Sequence, residues 1–224
     1  MSNLYYQNSN LRSARVILLE SFEENERSYV KLKDDFFYPQ GGGQKGDRGI
    51  IICNGQEYKV VNTIKDKRGV GALVITEKLV PEDCVGEEIK CILDWDFRYR
   101  QMKLHTCLHL HHCILEEKVG KRLEYPVTSD IEDGFAFNKY PVDAFDKSII
   151  DEANIAFMEV LKSNATVSTY PNKEKEGYRW WECLNYKIPC GGIHVSNLKE
   201  IENVSIKVSS KRGFVTIKIT LEEM

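Results

Sequence analysis

The chain has 224 residues, 42% of them hydrophobic, which is enough to form one large globular domain or two small ones. No apolar run approaches the roughly 20 residues that a membrane-spanning helix needs, and no N-terminal signal pattern is present. We therefore expect a cytoplasmic protein with no membrane partner and no stable protein partner. The net charge of −3 gives no overall positive field that would favour nucleic acid. Seven scattered cysteines favour reduced thiols.

The first part of the chain has the pattern of an all-β domain. Short segments rich in β-branched and aromatic residues predict strands at residues 15–19, 29–32, 50–52, 58–61, 72–76 and 88–93. Asn54-Gly55 lies between two of them and readily adopts the positive φ angles of a tight hairpin. Strands at this spacing need a closed or double-layered sheet, so we expect a small barrel or sandwich over residues 1–94.

The pattern changes after the barrel. Residues 101–118 lack Gly and Pro and carry apolar side chains around most of a helical circumference, which predicts a buried helix. Residues 146–162 predict a second helix, and strands are expected at 165–170, 204–208 and 214–219. The predicted fold class is α+β, in which residues 95–224 form a domain of helices on an antiparallel sheet.

Two pairs of metal-ligating residues occur at the same spacing. His105 and His109 lie four residues apart in the predicted helix, so both imidazoles fall on one face about 6 Å apart along the axis. Cys190 and His194 repeat the spacing around two glycines. Either pair alone is a weak signal, but together they form a tetrahedral zinc set. We therefore predict one zinc ion per chain.

Two familiar zinc chemistries do not fit. A thermolysin-like protease needs Glu directly after the first histidine, where this chain has Thr106. A zinc deaminase needs a His-x-Glu element and a Cys-x-x-Cys pair, which the sequence lacks. A purely structural zinc stays open, because four protein ligands close the coordination sphere. Cys190 is interpreted as a ligand, with a nucleophilic role as the alternative.

Three segments resemble the free-standing alanyl-tRNA editing proteins, the AlaX family, which are similar to the editing domain of alanyl-tRNA synthetase. The segments are the glycine-rich residues 37–47, the pair His105 and His109, and residues 190–195, in the family's order. The glycine-rich motif and the short C-terminus resemble the medium-length class, in which a β-barrel precedes a zinc-binding editing domain.

The resemblance implies a hydrolase that acts in trans on the ester of mischarged tRNA, with Ser-tRNA(Ala) and then Gly-tRNA(Ala) as expected substrates. Gln44 and Thr106 are our candidate catalytic residues, which would supply hydrogen bonds near the substrate. The residues expected to line the substrate site are Gly42, Gly43, Leu108, Gly191, Gly192 and Ile193. Ile193 and Leu108 depart from the polar residues that are usual in the family, which puts the substrate preference in question.

Basic residues are candidates for contacts with the phosphates of the tRNA acceptor stem. They are Arg98, Arg100, Lys121 and Arg122. Two alternatives to the editing hydrolase remain open. One is a non-catalytic, zinc-stabilised RNA-binding module, and the other is a deacylase for another mischarged tRNA such as Ser-tRNA(Thr).

Overall fold

The structure is a computed structural model that describes residues 2–124, 126–174 and 178–222. The chain divides into two compact units, Met1–Tyr99 and Arg100–Met224. The boundary that we predict after residue 94 lies close to this division, which falls inside a helix that begins at Trp95.

The first unit is a closed β-barrel. Its strands are β1 (Ser13–Glu24), β2 (Arg27–Leu32), β3 (Gly49–Cys53), β4 (Gln56–Lys65), β5 (Ala72–Thr76) and β6 (Glu88–Leu93), preceded by the short helix α1 (Leu4–Gln7). The strands close in the order β1-β2-β5-β4-β3-β6, and neighbouring strands are antiparallel. The barrel prediction is confirmed.

Alternating apolar residues of these strands fill the barrel, as the two-residue period of a strand requires. Buried members of this core include Val16, Leu18, Val30, Leu32, Ile51, Val60, Val74 and Ile89. The hairpin between β3 and β4 turns at Asn54 and Gly55, whose φ angles are 51° and 74°. Positive φ at both central residues matches the twist of the flanking strands, so the predicted hairpin is also confirmed.

The glycine-rich segment begins with a two-residue turn and continues into close contact with the barrel. Gly41 and Gln44 exchange backbone hydrogen bonds across Gly42 and Gly43, which have φ angles of 60° and 83°. At Gly46, a Cβ atom would lie 2.0 Å from the Thr63 carbonyl oxygen. The segment therefore needs glycine for its turn and again for close packing.

One expectation about the cysteines is wrong. Cys53 and Cys84 form a disulfide, with their Cα atoms 6.2 Å apart, whereas the other five cysteines are free. Cys53 ends β3, and Cys84 lies in a short 3-10 helix (Glu82–Cys84) that precedes β6, the neighbour of β3 in the barrel. The pairing depends on strand order, which the spacing of 31 residues does not reveal.

The second unit combines helices with two antiparallel sheets. The long helix is α2 (Trp95–Val119), which begins in the first unit, and the other is α3 (Lys147–Leu161). A four-stranded sheet has the order β12-β13-β8-β7, and a three-stranded sheet has the order β11-β10-β9. Their strands are β7 (Thr128–Ile131), β8 (Phe135–Pro141), β9 (Val167–Pro171), β10 (Arg179–Cys183), β11 (Tyr186–Pro189), β12 (Val204–Lys211) and β13 (Phe214–Leu221). The α+β fold class is confirmed.

The ends of α2 follow from local chemistry. The Asp94 carboxylate accepts a hydrogen bond from the Phe97 backbone N–H at 3.1 Å, which caps the helix. Gly120 has a φ of 72° and donates its N–H to the Glu116 carbonyl at the other end. The helix therefore starts six residues before the predicted start at residue 101. Across the described ranges, no helix is long and apolar enough to cross a membrane.

Gly46→Ala should destabilise the barrel strongly. The added methyl group meets the backbone of Thr63, which cannot move aside without disturbing β4. We expect the free energy of unfolding in urea to fall by about 3 kcal/mol or more. Gly69→Ala is the matched control, because its Cβ would meet nothing within 4 Å and its φ is not positive. The control should change stability by less than about 1 kcal/mol. Equal effects of the two substitutions would contradict the packing argument.

Candidate metal centre

Four metal-ligating side chains converge in the second unit. His105 and His109 lie one turn apart on α2, with ring centroids separated by 4.7 Å and ring planes perpendicular. Cys190 and His194 lie in the segment that follows β11. The ligating atoms of all four residues lie within 4.8 Å of one another. The structure thus brings together two pairs that are 85 residues apart in the chain.

Backbone hydrogen bonds fix the segment that carries Cys190 and His194. The Cys190 N–H donates to the Arg179 carbonyl at 2.9 Å, which extends the pairing of β11 with β10 by one residue. At the other end, the Val167 N–H donates to the Ser196 carbonyl at 2.8 Å. The segment is therefore tied to β10 at its start and to β9 at its end.

The spacing of the donor atoms suits a tetrahedral metal ion. Cys190 Sγ lies 3.6 Å from His105 Nε2 and 3.4 Å from His194 Nε2. A sulfur and a nitrogen ligand of one tetrahedral zinc ion lie about 3.5 Å apart, given Zn–S of about 2.3 Å and Zn–N of about 2.0 Å. The four residues therefore fit zinc in donor type, and the two sulfur–nitrogen separations match its coordination.

Burial keeps the imidazoles in the neutral form that binds metals. It lowers the pKa of His105 to about 4. Burial and the neighbouring histidines hold the pKa of His109 and of His194 well below the usual value. A histidine that is neutral at physiological pH offers a ring-nitrogen lone pair to a metal without first losing a proton.

The protonation state of Cys190 differs from that of the imidazoles, because its thiol must lose a proton before it can bind a metal. Burial raises the pKa of its thiol to about 11, although the Gly192 backbone N–H points at Sγ from 3.2 Å and lowers it. In the absence of a cation the thiol therefore keeps its proton. A bound metal would displace that proton, and the Gly192 N–H would then donate to the thiolate.

Trp181 forms part of the wall of the centre and is a residue that the sequence reading missed. It is fully buried in β10, and its ring lies edge-on to His109 with centroids 5.2 Å apart. It also lies 6.0 Å from His194. The paired Trp180-Trp181 in a segment between two turns was a usable strand signal, since aromatic residues are enriched in strands.

Thr106 has hydrogen-bond partners inside the protein. Its side chain is fully buried, and its hydroxyl lies 2.9 Å from the Met102 carbonyl and 3.1 Å from His194 Nδ1. The hydroxyl therefore lies beside a candidate metal ligand, and the predicted role of Thr106 toward a substrate stays a prediction.

The predicted substrate-site residues of the second unit flank the metal ligands. Leu108 and Ile193 are 5% and 3% exposed, so both pack mainly against the protein interior. Gly191 is exposed and Gly192 is buried. In the first unit, Gln44 is fully buried and Gly42 is exposed at the tip of its turn. The roles of these residues toward a substrate stay predictions.

Arg98 is a correction among the predicted phosphate contacts. Its guanidinium is 1% exposed and forms a two-pronged ion pair with the equally buried Asp47, the last residue of the glycine-rich motif. It also donates to the Ser9 carbonyl at 3.2 Å. An arginine that is desolvated and paired in this way cannot bind a phosphate in solvent. Its burial could not be read from its basic neighbours in the sequence.

The other predicted phosphate contacts lie at the surface. Arg100 pairs with Asp133 at 2.7 Å, with both side chains about half exposed at 40% and 50%. Lys121 and Arg122 are exposed just after α2 ends. These three cations remain accessible to a polyanion.

Comparisons with known proteins agree with this architecture. Residues 4–97 match a family model described as tRNA synthetases class II (A). The alanyl-tRNA editing protein AlaX-M of Pyrococcus horikoshii is 34% identical over 98% of the chain and 97% of its own length. AlaX-M of Methanosarcina mazei is 27% identical over 84% of each protein. The alanine–tRNA ligase of Sulfurisphaera tokodaii is 31% identical over 91% of the chain, which spans 24% of the ligase.

The fold and the site define a two-unit protein in which a closed barrel precedes an α+β unit with a candidate His-His-Cys-His metal centre. The match to the Pyrococcus protein extends over nearly all of both chains. The chain belongs to the AlaX family of alanyl-tRNA editing proteins.

Cys190→Ala should remove metal binding. The substitution deletes the thiol from a set of four candidate ligands. We therefore expect the wild type to keep near-stoichiometric zinc after dialysis against a weak chelator and the variant to lose it. Inductively coupled plasma emission measures the zinc content. Cys113→Ala is the matched control, because Cys113 is a buried free thiol outside the cluster. Unchanged zinc in Cys190→Ala would contradict the assignment of this ligand.

Proposed function

We propose that this protein is a zinc-dependent deacylase that hydrolyses the ester of mischarged tRNA(Ala). Ser-tRNA(Ala) is its principal substrate and Gly-tRNA(Ala) its second. The single observation that supports this most is the convergence of His105, His109, Cys190 and His194 within 4.8 Å. The relative that it matches along nearly its whole length bears the name of an alanyl-tRNA editing protein, which supplies the substrate class.

The physical need for such an enzyme lies in the synthetase. A site built for alanine holds a methyl group, and an apolar pocket only weakly rejects a competitor that adds one hydroxyl. A separate site that hydrogen-bonds the hydroxyl can favour serine by about 10⁴-fold or more, since alanine would leave buried polar groups unpaired. Editing of serine therefore belongs in a second site.

Four side chains of the protein would hold the metal ion for this chemistry. His105, His109, Cys190 and His194 would hold zinc, with the imidazoles neutral through burial. When bound, zinc supplies positive charge that orients the aminoacyl end and stabilises negative charge developing on the ester oxygen. Cys190 serves as a ligand and not as the nucleophile, because a thiolate committed to a cation is a poor attacking group.

Selectivity is assigned to the residues around the ligands. Leu108 and Ile193 are chain neighbours of the candidate ligands His109 and His194, and we assign to them the shaping of the space for a small side chain. Gly191 exposes backbone beside Cys190 and suits close approach of a substrate. Gln44, Gly42 and Gly43 of the barrel are proposed to contact the acceptor end.

Deacylation of Ser-tRNA(Ala) tests the proposal. We expect release of serine by the wild-type protein with zinc, loss of that activity on full removal of zinc with a strong chelator, and its return when zinc is restored. His105→Ala should lower kcat/KM by at least about 10³-fold, because one of the ligands of the ion is gone. Correctly charged Ala-tRNA(Ala) should stay intact under the same conditions.

The same assay separates the alternatives. A wild-type protein that binds zinc and tRNA but releases no amino acid would be an RNA-binding module, and the hydrolase proposal would be wrong. Faster turnover of Ser-tRNA(Thr) than of Ser-tRNA(Ala) would retain the hydrolase and reject the proposed tRNA identity. A panel of purified aminoacyl-tRNAs, each measured at concentrations below KM, distinguishes these outcomes.

Lys121 and Arg122, together with Arg100, are proposed to contact acceptor-stem phosphates. The double variant Lys121→Gln, Arg122→Gln should raise KM by roughly 3- to 10-fold with kcat nearly unchanged, and should make log KM less sensitive to salt. The control Lys207→Gln, Lys211→Gln removes the same charge from exposed positions of β12. If the two double variants behave alike, the proposed contact is only a general charge effect.

A further inference from the structure

The hydroxyl of Thr106 lies between two groups whose hydrogen-bonding roles are constrained. Thr106 follows the ligand His105 on α2, and its Oγ1 is 2.9 Å from the Met102 carbonyl oxygen and 3.1 Å from His194 Nδ1. A carbonyl oxygen only accepts hydrogen bonds, and a hydroxyl has one hydrogen to donate. If that hydrogen goes to Met102, the Thr106 oxygen is left to act as an acceptor toward His194.

This arrangement determines which ring nitrogen of His194 carries the proton. A neutral imidazole has one N–H, and an acceptor at Nδ1 places it there. The other nitrogen, Nε2, then keeps its lone pair. Nε2 is the atom that faces the remaining ligands, at 3.4 Å from Cys190 Sγ. The opposite tautomer would point a hydrogen from Nε2 into the cluster.

His109 differs from His194 in this respect. In the part of the chain that the structure describes, the buried Nδ1 of His109 has no hydrogen-bond partner. The ring of His109 is instead held by packing against Trp181. His194 is thus positioned by a hydrogen bond, and loss of the Thr106 hydroxyl would remove a constraint that packing alone does not replace.

We propose that Thr106 is a positioning residue, whose buried hydroxyl accepts the Nδ1–H of His194 and so presents Nε2 to the metal ion. The inference rests on the proposed metal site and adds to it the residue that selects the ligating tautomer. Partners of this kind behind a ligating histidine commonly affect metal affinity by about 10- to 100-fold.

The test compares Thr106→Val with Thr106→Ser. Valine keeps the shape of threonine without the hydroxyl, and serine keeps the hydroxyl. We expect the zinc Kd, measured by competition with a chromophoric chelator, to rise by about 10- to 100-fold in Thr106→Val and to stay within about 3-fold of wild type in Thr106→Ser. Thr76→Val is the matched control, because the buried Thr76 hydroxyl has no hydrogen-bond partner among the described residues.

A second measurement is made on the wild-type protein itself. Long-range ¹H–¹⁵N spectra of the metal-free wild-type protein report which nitrogen of His194 is protonated, with His194→Gln used for assignment. Protonation at Nδ1 supports the inference, whereas protonation at Nε2 overturns it. Equal zinc affinity of Thr106→Val and wild type also overturns it. If the wild-type protein binds no zinc, the proposed metal site is wrong. If the wild type is an active zinc enzyme and Thr106→Val binds zinc equally tightly, only the role of Thr106 is wrong.

Discussion

The burial of four polar donor groups at one point is the constraint on which the second unit depends. Three imidazoles and a thiol lie together largely out of water. Among the described residues His109 Nδ1 has no hydrogen-bond partner, and a buried polar group without a partner costs roughly 1–3 kcal/mol. A cation that took all four donors would convert that cost into coordination. Metal affinity and folding of this unit would then be linked.

The surrounding structure offsets part of that cost before any ion binds. The two histidines of α2 come from a long helix capped by Asp94 and ended at Gly120, so their separation is set by helix geometry. Cys190 is held in place because its backbone continues the pairing of β10 with β11, and the Gly192 N–H points at its sulfur. Rigid elements thus hold the donors, which reduces the reorganisation required on binding.

The ligand quartet could be predicted from the sequence because its signals are local and repeated. A four-residue spacing occurs twice, once in a helix and once beside glycines, and each pair can be recognised without knowing the fold. The barrel strands were also accessible, since Asn54-Gly55 marks a hairpin between alternating segments.

The elements and contacts that the sequence analysis did not predict depend on tertiary structure or on turns with weak sequence signals. Strand β8 follows Asp133-Gly134, a turn signal from which this strand could have been predicted. The β10–β11 hairpin turns at Leu184, which adopts a φ of 55° that leucine rarely takes. The sequence therefore gives little indication of this hairpin. The pairing of Arg98 with Asp47, and of Cys53 with Cys84, joins residues that are distant in the chain. The sequence shows the charge or thiol of each residue but not which residue it pairs with.

The closed sheet of the first unit limits how that unit can recognise other molecules. Within the described residues of this unit, each of the six strands has a hydrogen-bonded neighbour on both sides, so the sheet offers no free edge for an added strand. Augmentation by an extended peptide, and edge-to-edge aggregation through this sheet, are accordingly disfavoured. Recognition by the barrel must use side chains and exposed turns, and among these the tip at Gly42 offers exposed backbone that carries no side chain of its own.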